Sequence, residues 1–406
     1  MTQPSFATRT RKILKSWRRP EILLPPNTFV FGFFVGMMLA LVPLYMYANG
    51  YDVSEIGVVV AAQAVFQMGL RLVAGVVADR YGEQKVITIG FVAMLISALL
   101  FMVSSDLWLM FLAQLFTGAS RAAHMPASKS YASRIHEGNA AGNIGRTLGA
   151  TTMGNIAGPV VAGLLSVAVG FSGAFAVAAA VAALGLTLSF LLPALPRKQA
   201  QTVAEAFARV PGMVRARASV MPGLIAFFVA SSMSVMTSVF VVLLRESDSG
   251  EATVGLILGA VAVGASAASF GFATIHEKIG TRGVFALLFG AVGAGMVVIA
   301  LTDNVILLLI FGGMVGAGVG LGAVLYGLLA AINSKPQERG VAMSVAGLYW
   351  AGGMLVGPLT YGALAEAIGT AYAVITAGAF PIALALLTPV VFAALYPKPL
   401  PEPSIA

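Results

Sequence analysis

The chain contains no cysteine among its 406 residues. That excludes disulfide staples, thiolate metal sites and cysteine nucleophiles. Charge is scarce as well. Asp, Glu, Lys and Arg make up only 10% of the chain, whereas soluble domains carry about 25%. Hydrophobic residues reach 59% and mean hydropathy is +0.92. Such a chain cannot solvate its own surface in water, so the expectation is a polytopic membrane protein. Acids are absent where charge matters most: none of the 16 falls in the middle of an apolar run. Paired carboxylates, H-E-x-x-H and a nucleophile elbow are missing too, which argues against a membrane enzyme and against a bound metal or other cofactor.

What the chain does have is long apolar runs. A helix needs about 20 mostly apolar residues to cross a bilayer. Twelve stretches qualify: 26–48, 55–78, 86–104, 107–131, 142–169, 174–195, 220–244, 253–275, 283–302, 305–331, 341–366 and 371–396. They are too long and too continuously apolar for the alternating strands of a membrane barrel. The fold class expected is therefore all-α, with twelve spans. Of 24 Lys and Arg, 20 fall before the first span, after even-numbered spans or after the last. Arg245 alone lies on the opposite side. By the positive-inside rule both termini are cytoplasmic. The basic N-terminus (Arg9, Arg11, Lys12, Lys15, Arg18, Arg19) suits contact with anionic lipid, not nucleic acid. The first apolar run is too long for a signal peptide, so it reads as a retained span.

The runs repeat. Gly154-x-x-x-Gly158-Pro159-x-x-x-Gly163 returns as Gly353-x-x-x-Gly357-Pro358-x-x-x-Gly362, 199 positions later. Gly57, in Glu55-Ile56-Gly57, matches Gly255 at 198. Gly82, in Asp79-Arg80-Tyr81-Gly82, matches Gly280 at 198. Three landmarks at nearly one offset divide the chain into a basic N-terminus (1–25), a six-span half (26–195), a cytoplasmic linker (196–219), a second six-span half (220–396) and a tail (397–406). A parallel repeat of two halves around an axis along the membrane normal is a common transporter plan. Gly-x-x-x-Gly stripes permit close helix approach, and proline kinks a helix. The motifs around Gly158-Pro159 and Gly357-Pro358 are therefore expected to form flexible seams between the two halves.

These residues resemble the major facilitator superfamily over almost the whole chain. Gly75-Val-Val-Ala-Asp79-Arg80-Tyr81-Gly82 is similar to the signature of the loop between spans 2 and 3, with Glu83-Gln84 in place of its final basic pair. The motif at Gly154, Gly158 and Pro159 is similar to the span 5 signature associated with exporting antiporters. The resemblance implies a secondary transporter of the drug and metabolite exporter branch, not an enzyme. It implies a multi-pass protein of the plasma membrane, the inner membrane in a bacterium. It also implies that Gly75, Asp79, Arg80 and Gly82 act as a conformational latch. Proton-coupled exporters of this superfamily often carry an acid in span 1 or 4; this chain has none there.

Intramembrane charge is costly and usually functional. Gln63, Gln67 and Arg71 share one face of span 2 at i, i+4, i+8. On span 4, Gln114, Thr117, Arg121, His124 and Ser128 form a continuous polar stripe. Arg146 sits at the start of span 5, where it can snorkel. Arg71 and Arg121 are expected to line the cavity and attract an anion; packing roles on helix carbonyls are the alternative. His124 titrates nearest neutrality and is the candidate for proton coupling, or else a bonded histidine of the bundle. Span 7 contributes Ser231, Ser234, Thr237 and Ser238. Tyr326, Tyr349 and Trp350 are the aromatic candidates opposite the arginines. The expected substrate is a small organic compound, anionic or amphipathic, carried by a monomer. The first functional reading is export; the second is uptake or exchange of an organic anion through Arg71 and Arg121.

Overall fold

A computed structural model describes residues 19–135, 139–195, 208, 212, 217–333 and 339–395. Most of the linker, the basic residues before Arg19 and the tail after Leu395 lie outside the described residues. What is described is helical throughout apart from short turns. The helices are α1 (Pro20–Ala48), α2 (Val53–Tyr81), α3 (Glu83–Val103), α4 (Leu107–Ile135), α5 (Ala140–Leu191), α6 (Arg217–Met236), α7 (Val239–Glu246), α8 (Glu251–Phe270), α9 (Phe272–Ile299), α10 (Val305–Ile332), α11 (Arg339–Ile368), α12 (Thr370–Leu386) and α13 (Thr388–Leu395).

Eight helical stretches among the described residues are long and apolar enough to cross a membrane, and nine if the bent pair α12–α13 counts as one. Helices α4 and α11 fall outside that set. The polar stripe from Gln114 through Arg121 to Arg134 lowers the apolar character of α4. Their place inside the bundle explains the tolerance, because a polar stripe facing protein escapes the penalty of facing lipid.

Local chemistry sets the helix ends, and it repeats. The side chain of Asp106 accepts hydrogen bonds from the N–H groups of Trp108 and Leu109 at the start of α4 (3.0 and 3.3 Å). Asn304, 198 positions on, does the same for Ile306 and Leu307 at the start of α10 (3.0 and 3.3 Å). Each satisfies donors that a helix start leaves orphaned. Positive φ angles among the described residues fall into three pairs at the same spacing: Gly50 (80°) with Asp248 (58°), Gly82 (101°) with Gly280 (65°), and Gly170 (71°) with Gly369 (92°). Gly170 breaks α5 and Gly280 breaks α9. Left-handed backbone is nearly free for glycine and strained for other residues. The chain therefore turns the same way at matched points of both repeats.

The two central helices also match. Their most apolar windows, in Pro20–Ala48 and Ser219–Glu246, are each 78% buried, against 33% for Glu251–Phe270 and 39% for Gly142–Leu191. The outward surfaces of the less buried helices carry Leu164, Val167, Val263 and Ile306, as a lipid-facing surface requires.

Glycine decides which helices touch. A Cβ at Gly158 would lie 2.7 Å from Met37 N and 2.8 Å from Gly36 Cα, so α5 seats on the backbone of α1. Gly154 meets α1 one turn earlier, at Phe29 and Phe33. In the second repeat Gly353 and Gly357 seat α11 on α6; a Cβ at Gly357 would lie 2.8 Å from Ser231 O. This corrects the expected seam between halves. The first two glycines of each motif pack within their own helix set.

The crossing contacts come from the rest of each motif. A Cβ at Gly255 of α8 would lie 2.5 Å from Pro159 O and 3.1 Å from Gly163 Cα. A Cβ at Gly57 of α2 would lie 2.5 Å from Pro358 O, with Gly362 Cα at 3.6 Å. Gly57 and Gly255 are thus the points where α2 meets α11 and α5 meets α8. Both seams lie at one end of the bundle, near the starts of α2 and α8. Arg245 reinforces that end. It pairs with Glu251 at 3.1 Å and lies 5.8 Å from the centre of the Tyr47 ring. Glu246 accepts a hydrogen bond from Thr370. Toward the other end, a Cβ at Gly69, Gly145 or Gly149 would meet nothing within 4 Å.

Candidate functional site

Between the two helix sets lies a cavity at mid-depth. Its apolar wall is α1, through Val35, Met38, Leu39, Val42 and Pro43. Val60 and Gln63 of α2 line it, with Gln114, Thr117 and Arg121 of α4. The second repeat contributes Thr237. The cavity is small, about 10 Å³ in volume. That is room for about one water. The site is contracted, and a substrate needs it to widen.

Arg121 dominates the site. Its Nη1 donates to Gln63 Oε1 at 2.9 Å, which links α4 to α2. The i, i+4 spacing places Gln67 one turn along from Gln63; it is 5% exposed and its Oε1 has no partner among the described residues. Gln114 is 3% exposed, and its Oε1 is likewise unpartnered. Thr117 lies against Ser97 of α3, hydroxyl to hydroxyl at 2.8 Å. The cavity lining thus holds one guanidinium, one unpartnered amide oxygen on Gln114 and no carboxylate.

Arg71 lies farther along the same α2 face, beyond the cavity toward the end away from the two glycine seams. Its guanidinium rests on α11, where a Cβ at Gly347 would lie 2.7 Å from Cζ. It interacts electrostatically with Tyr326, Arg121 and Lys129. Lys129 is exposed, on α4 two turns beyond Arg121. Lys129 was not among the residues singled out from the sequence. Its i+8 spacing from Arg121 was the available signal. The Tyr326 and Trp350 rings lie 5.8 Å apart, and Trp350 packs on the small cluster Ala64, Ala230 and Met354 that joins α2, α6 and α11.

Of the nine expected substrate contacts, Gln63, Gln114 and Arg121 line the cavity; Gln67, Arg71, Tyr326 and Trp350 lie outside its lining, and so do His124 and Tyr349. His124 is 1% exposed and stacks on Phe31 at 3.9 Å, with Phe91 edge-on at 5.2 Å. Its Nε2 meets Asn27 Oδ1 at 3.2 Å, and Asn27 Nδ2 donates to Gly185 O at 3.1 Å. The ring therefore ties α4 to α1 within the first helix set, and the cavity wall does not include it. Tyr349 packs on α6, its ring 2.8 Å from where a Cβ at Gly223 would sit. Sequence reading passed over the apolar wall of α1, because Met38, Leu39 and Val42 carry no polar signal.

The loop after α2 is partly described. Gly82 has φ 101° and ends the helix through its N–H on Ala78 O. Arg80 is exposed and stacks 5.6 Å from the Tyr81 ring. The side chain of Asp79 and the surroundings of Gly75 lie outside the described residues. Glu83 is 1% exposed and pairs with Arg134 at 2.5 Å, while Ser130 donates to it at 2.9 Å. The residue standing where the signature carries an arginine thus ties α3 to α4.

Comparison with known proteins follows from this geometry. The sequence model of the Major Facilitator Superfamily matches residues 26–248 and 223–405. Multidrug resistance protein 2 of Bacillus subtilis (strain 168) is 28% identical over 125 residues, 31% of each chain. Quinolone resistance protein NorA of Staphylococcus aureus is 29% identical over 100 residues, 25% of this chain and 26% of that one. The matched stretch spans about a third or less of these curated relatives. Among solved structures, the nucleoside transporter NupG superposes with a TM-score of 0.79 at 14% identity, covering 92% of this chain and 99% of that one. A POT family transporter in complex with 5-aminolevulinic acid gives 0.78 at 15% identity, covering 93% and 97%. These likenesses are of fold.

Proposed function

The chain belongs to the Major Facilitator Superfamily, and from that premise we infer a secondary active transporter that exports a small organic compound by alternating access. It is a multi-pass membrane protein, and its place is the plasma membrane, the inner one in a bacterium. The observation that carries the reading is the contracted central cavity, lined from both helix sets and closed at one end by two glycine seams. A carrier sealed on one side of its site needs this arrangement.

Twelve crossings follow if α5 counts twice. Its 52 residues extend about 78 Å at 1.5 Å per residue, more than twice an apolar core of about 30 Å, and Gly170 breaks them. The α6–α7 and α12–α13 pairs then count as one span each. Two six-span halves, 26–195 and 220–396, result. The positive-inside pattern puts both termini in the cytoplasm, so the sealed end is the outer one and the site faces inward. An inward-facing resting site suits collection of a compound from the cytoplasm. The likeness to a multidrug resistance protein and a quinolone resistance protein supports that direction. In this reading Gly75, Asp79, Arg80 and Gly82 form a latch on the inner ends. Transport needs no catalytic residue and no cofactor; the coupling is to a proton or a counter-solute.

The second reading is uptake or exchange of an organic anion. Arg71, Arg121 and Lys129 near one another, with no carboxylate lining the cavity, favour it. Proteoliposomes test both. Purified protein should drive counterflow of labelled mandelate or ethidium, and an imposed proton gradient should reveal direction. Vesicles that exchange neither faster than protein-free controls would refute the transporter reading.

A further inference from the structure

The bundle has one interrupted central helix whose break opens on the cavity. Thr237 and Ser238 separate α6 from α7. Ser238 has φ −134° and ψ −87°, outside the helical region, and makes no side-chain cap. Its hydroxyl instead donates to Ser234 O at 2.7 Å, while the Thr237 hydroxyl lies 3.2 Å from both Met233 O and Ser234 O. The first bond of α7 runs from Val242 N to Ser238 O. The N–H groups of Val239, Phe240 and Val241 precede it, and all three residues are fully buried, where water cannot serve the donors. A helix start of this kind carries about half a positive charge.

Two independent observations point from this break to a ligand. Gln114, 3% exposed, lines the same cavity as Thr237 and leaves its Oε1 unpartnered. Arg121, also in that lining, has a neutral partner, Gln63, and no acid beside it. Buried charge is normally paired, and the guanidinium is a fork built for a planar anion.

We propose that the cavity is the subsite for an organic anion that also carries a hydrogen-bond donor. Its carboxylate or comparable group lies between Arg121 of the first half and the start of α7 in the second. A hydroxyl or amine near that group donates to Gln114 Oε1. This rests on the transporter reading above and names its substrate class. The anion bridges both halves, and the α1 side chains that line the cavity, Met38 and Leu39 among them, give way to seat it.

Thermal shift of the full chain in detergent tests this, since a ligand of the folded state raises apparent stability. The probes are mandelate, phenylacetate (no hydroxyl), mandelamide (no charge) and tetraphenylphosphonium (a cation). Mandelate should bind about ten-fold more tightly than mandelamide, as a charge-assisted contact requires, and more tightly than phenylacetate. Arg121→Gln should remove the preference over mandelamide; Gln114→Leu should remove the preference over phenylacetate. Thr237→Asp supplies a resident carboxylate beside Arg121 and the α7 start, so it should raise the melting temperature and abolish the mandelate shift. Should Thr237→Asp fail to fold, the Arg121 and Gln114 variants decide. If mandelamide or tetraphenylphosphonium matches mandelate on the wild type, or Arg121→Gln keeps the mandelate preference, the anion subsite is wrong. The counterflow assay is scored separately. Transport without carboxylate preference overturns the subsite alone, whereas Arg121-dependent mandelate binding without transport overturns the transporter reading alone.

Discussion

Replacing Gly57 with alanine and Gly158 with alanine should have opposite signatures. Each adds one methyl group to a helix that touches another backbone. At Gly57 the new Cβ meets Pro358 O at 2.5 Å, across the seam between helix sets. At Gly158 it meets Met37 N at 2.7 Å and Gly36 Cα at 2.8 Å, inside the first set. The tightest contact at Gly158 is with Phe33 O. Ordinary contact begins at about 3.4 Å, so either pair of helices must part by roughly 1 Å, a strain of about 1–3 kcal/mol for such overpacking. Helix propensity returns up to about 1 kcal/mol. The net cost of about 1–2 kcal/mol falls on different equilibria. Gly158→Ala strains every conformation, because α1 and α5 travel together, and its melting temperature should drop by several degrees. Gly57→Ala strains only the state in which the end near the starts of α2 and α8 is sealed. A shift of about 1.4 kcal/mol moves that equilibrium about ten-fold, with little change in melting temperature. The chain has no native cysteine, so Ala252→Cys at the α5–α8 seam gives a label without background. Thiol labelling from outside should rise several-fold in Gly57→Ala and stay flat in Gly158→Ala. Equal labelling and equal melting loss in both variants would refute the division between seams within and across the sets.

Other outcomes follow from the same geometry. His124→Phe preserves the stack on Phe31 and should keep most transport, while His124→Ala should lower the melting temperature through a lost packing group worth about 2–4 kcal/mol; loss of transport in both at unchanged stability would make His124 a proton carrier. Glu83→Gln leaves Arg134 partly buried without its carboxylate and should destabilise by about 1–3 kcal/mol, read by thermal melting, with substrate affinity unchanged. Arg245→Ala removes the Glu251 pair and the Tyr47 contact at the sealed end, so outside labelling of Ala252→Cys should increase at unchanged mandelate affinity.

The helical membrane character was legible because 59% apolar composition leaves few other solutions. The repeat was legible because glycine and proline survive where the backbone itself is constrained. Gly57, Gly255 and the Gly-Pro motifs were all found by spacing alone. What spacing could not say was which partner each glycine meets, since α1 lies more than 100 residues from α5 in sequence. The motif was therefore assigned whole to the seam between halves, when its first two glycines pack inside their own helix set and the crossing is made by the proline carbonyl, the last glycine and, in the first repeat, Ile156 and Val160. The polar stripe of α4 misled in the same way. A stripe of steps 3 and 4 sweeps a wide arc, so Arg121 reaches the cavity while His124 turns into Asn27 and Phe31 on α1. The break before α7 left a readable trace in the hydroxyl run from Ser231 to Ser238. Such side chains bond the carbonyl one turn back and compete with the helix, as Ser232, Thr237 and Ser238 do.

The two crossing seams are made of main-chain atoms facing glycine. Movement and selectivity are therefore written in different alphabets within one molecule. The hinge surface depends on side chains being missing, and the cavity depends on side chains being present. Substitutions at Gln114, Thr237 or the α1 wall can retune what is carried without touching the surfaces that open and close. A duplicated scaffold of this sort is free to drift in cargo while its mechanics stay fixed, and inhibitors wedged into the Gly57–Pro358 contact would act on the machine whatever its cargo had become.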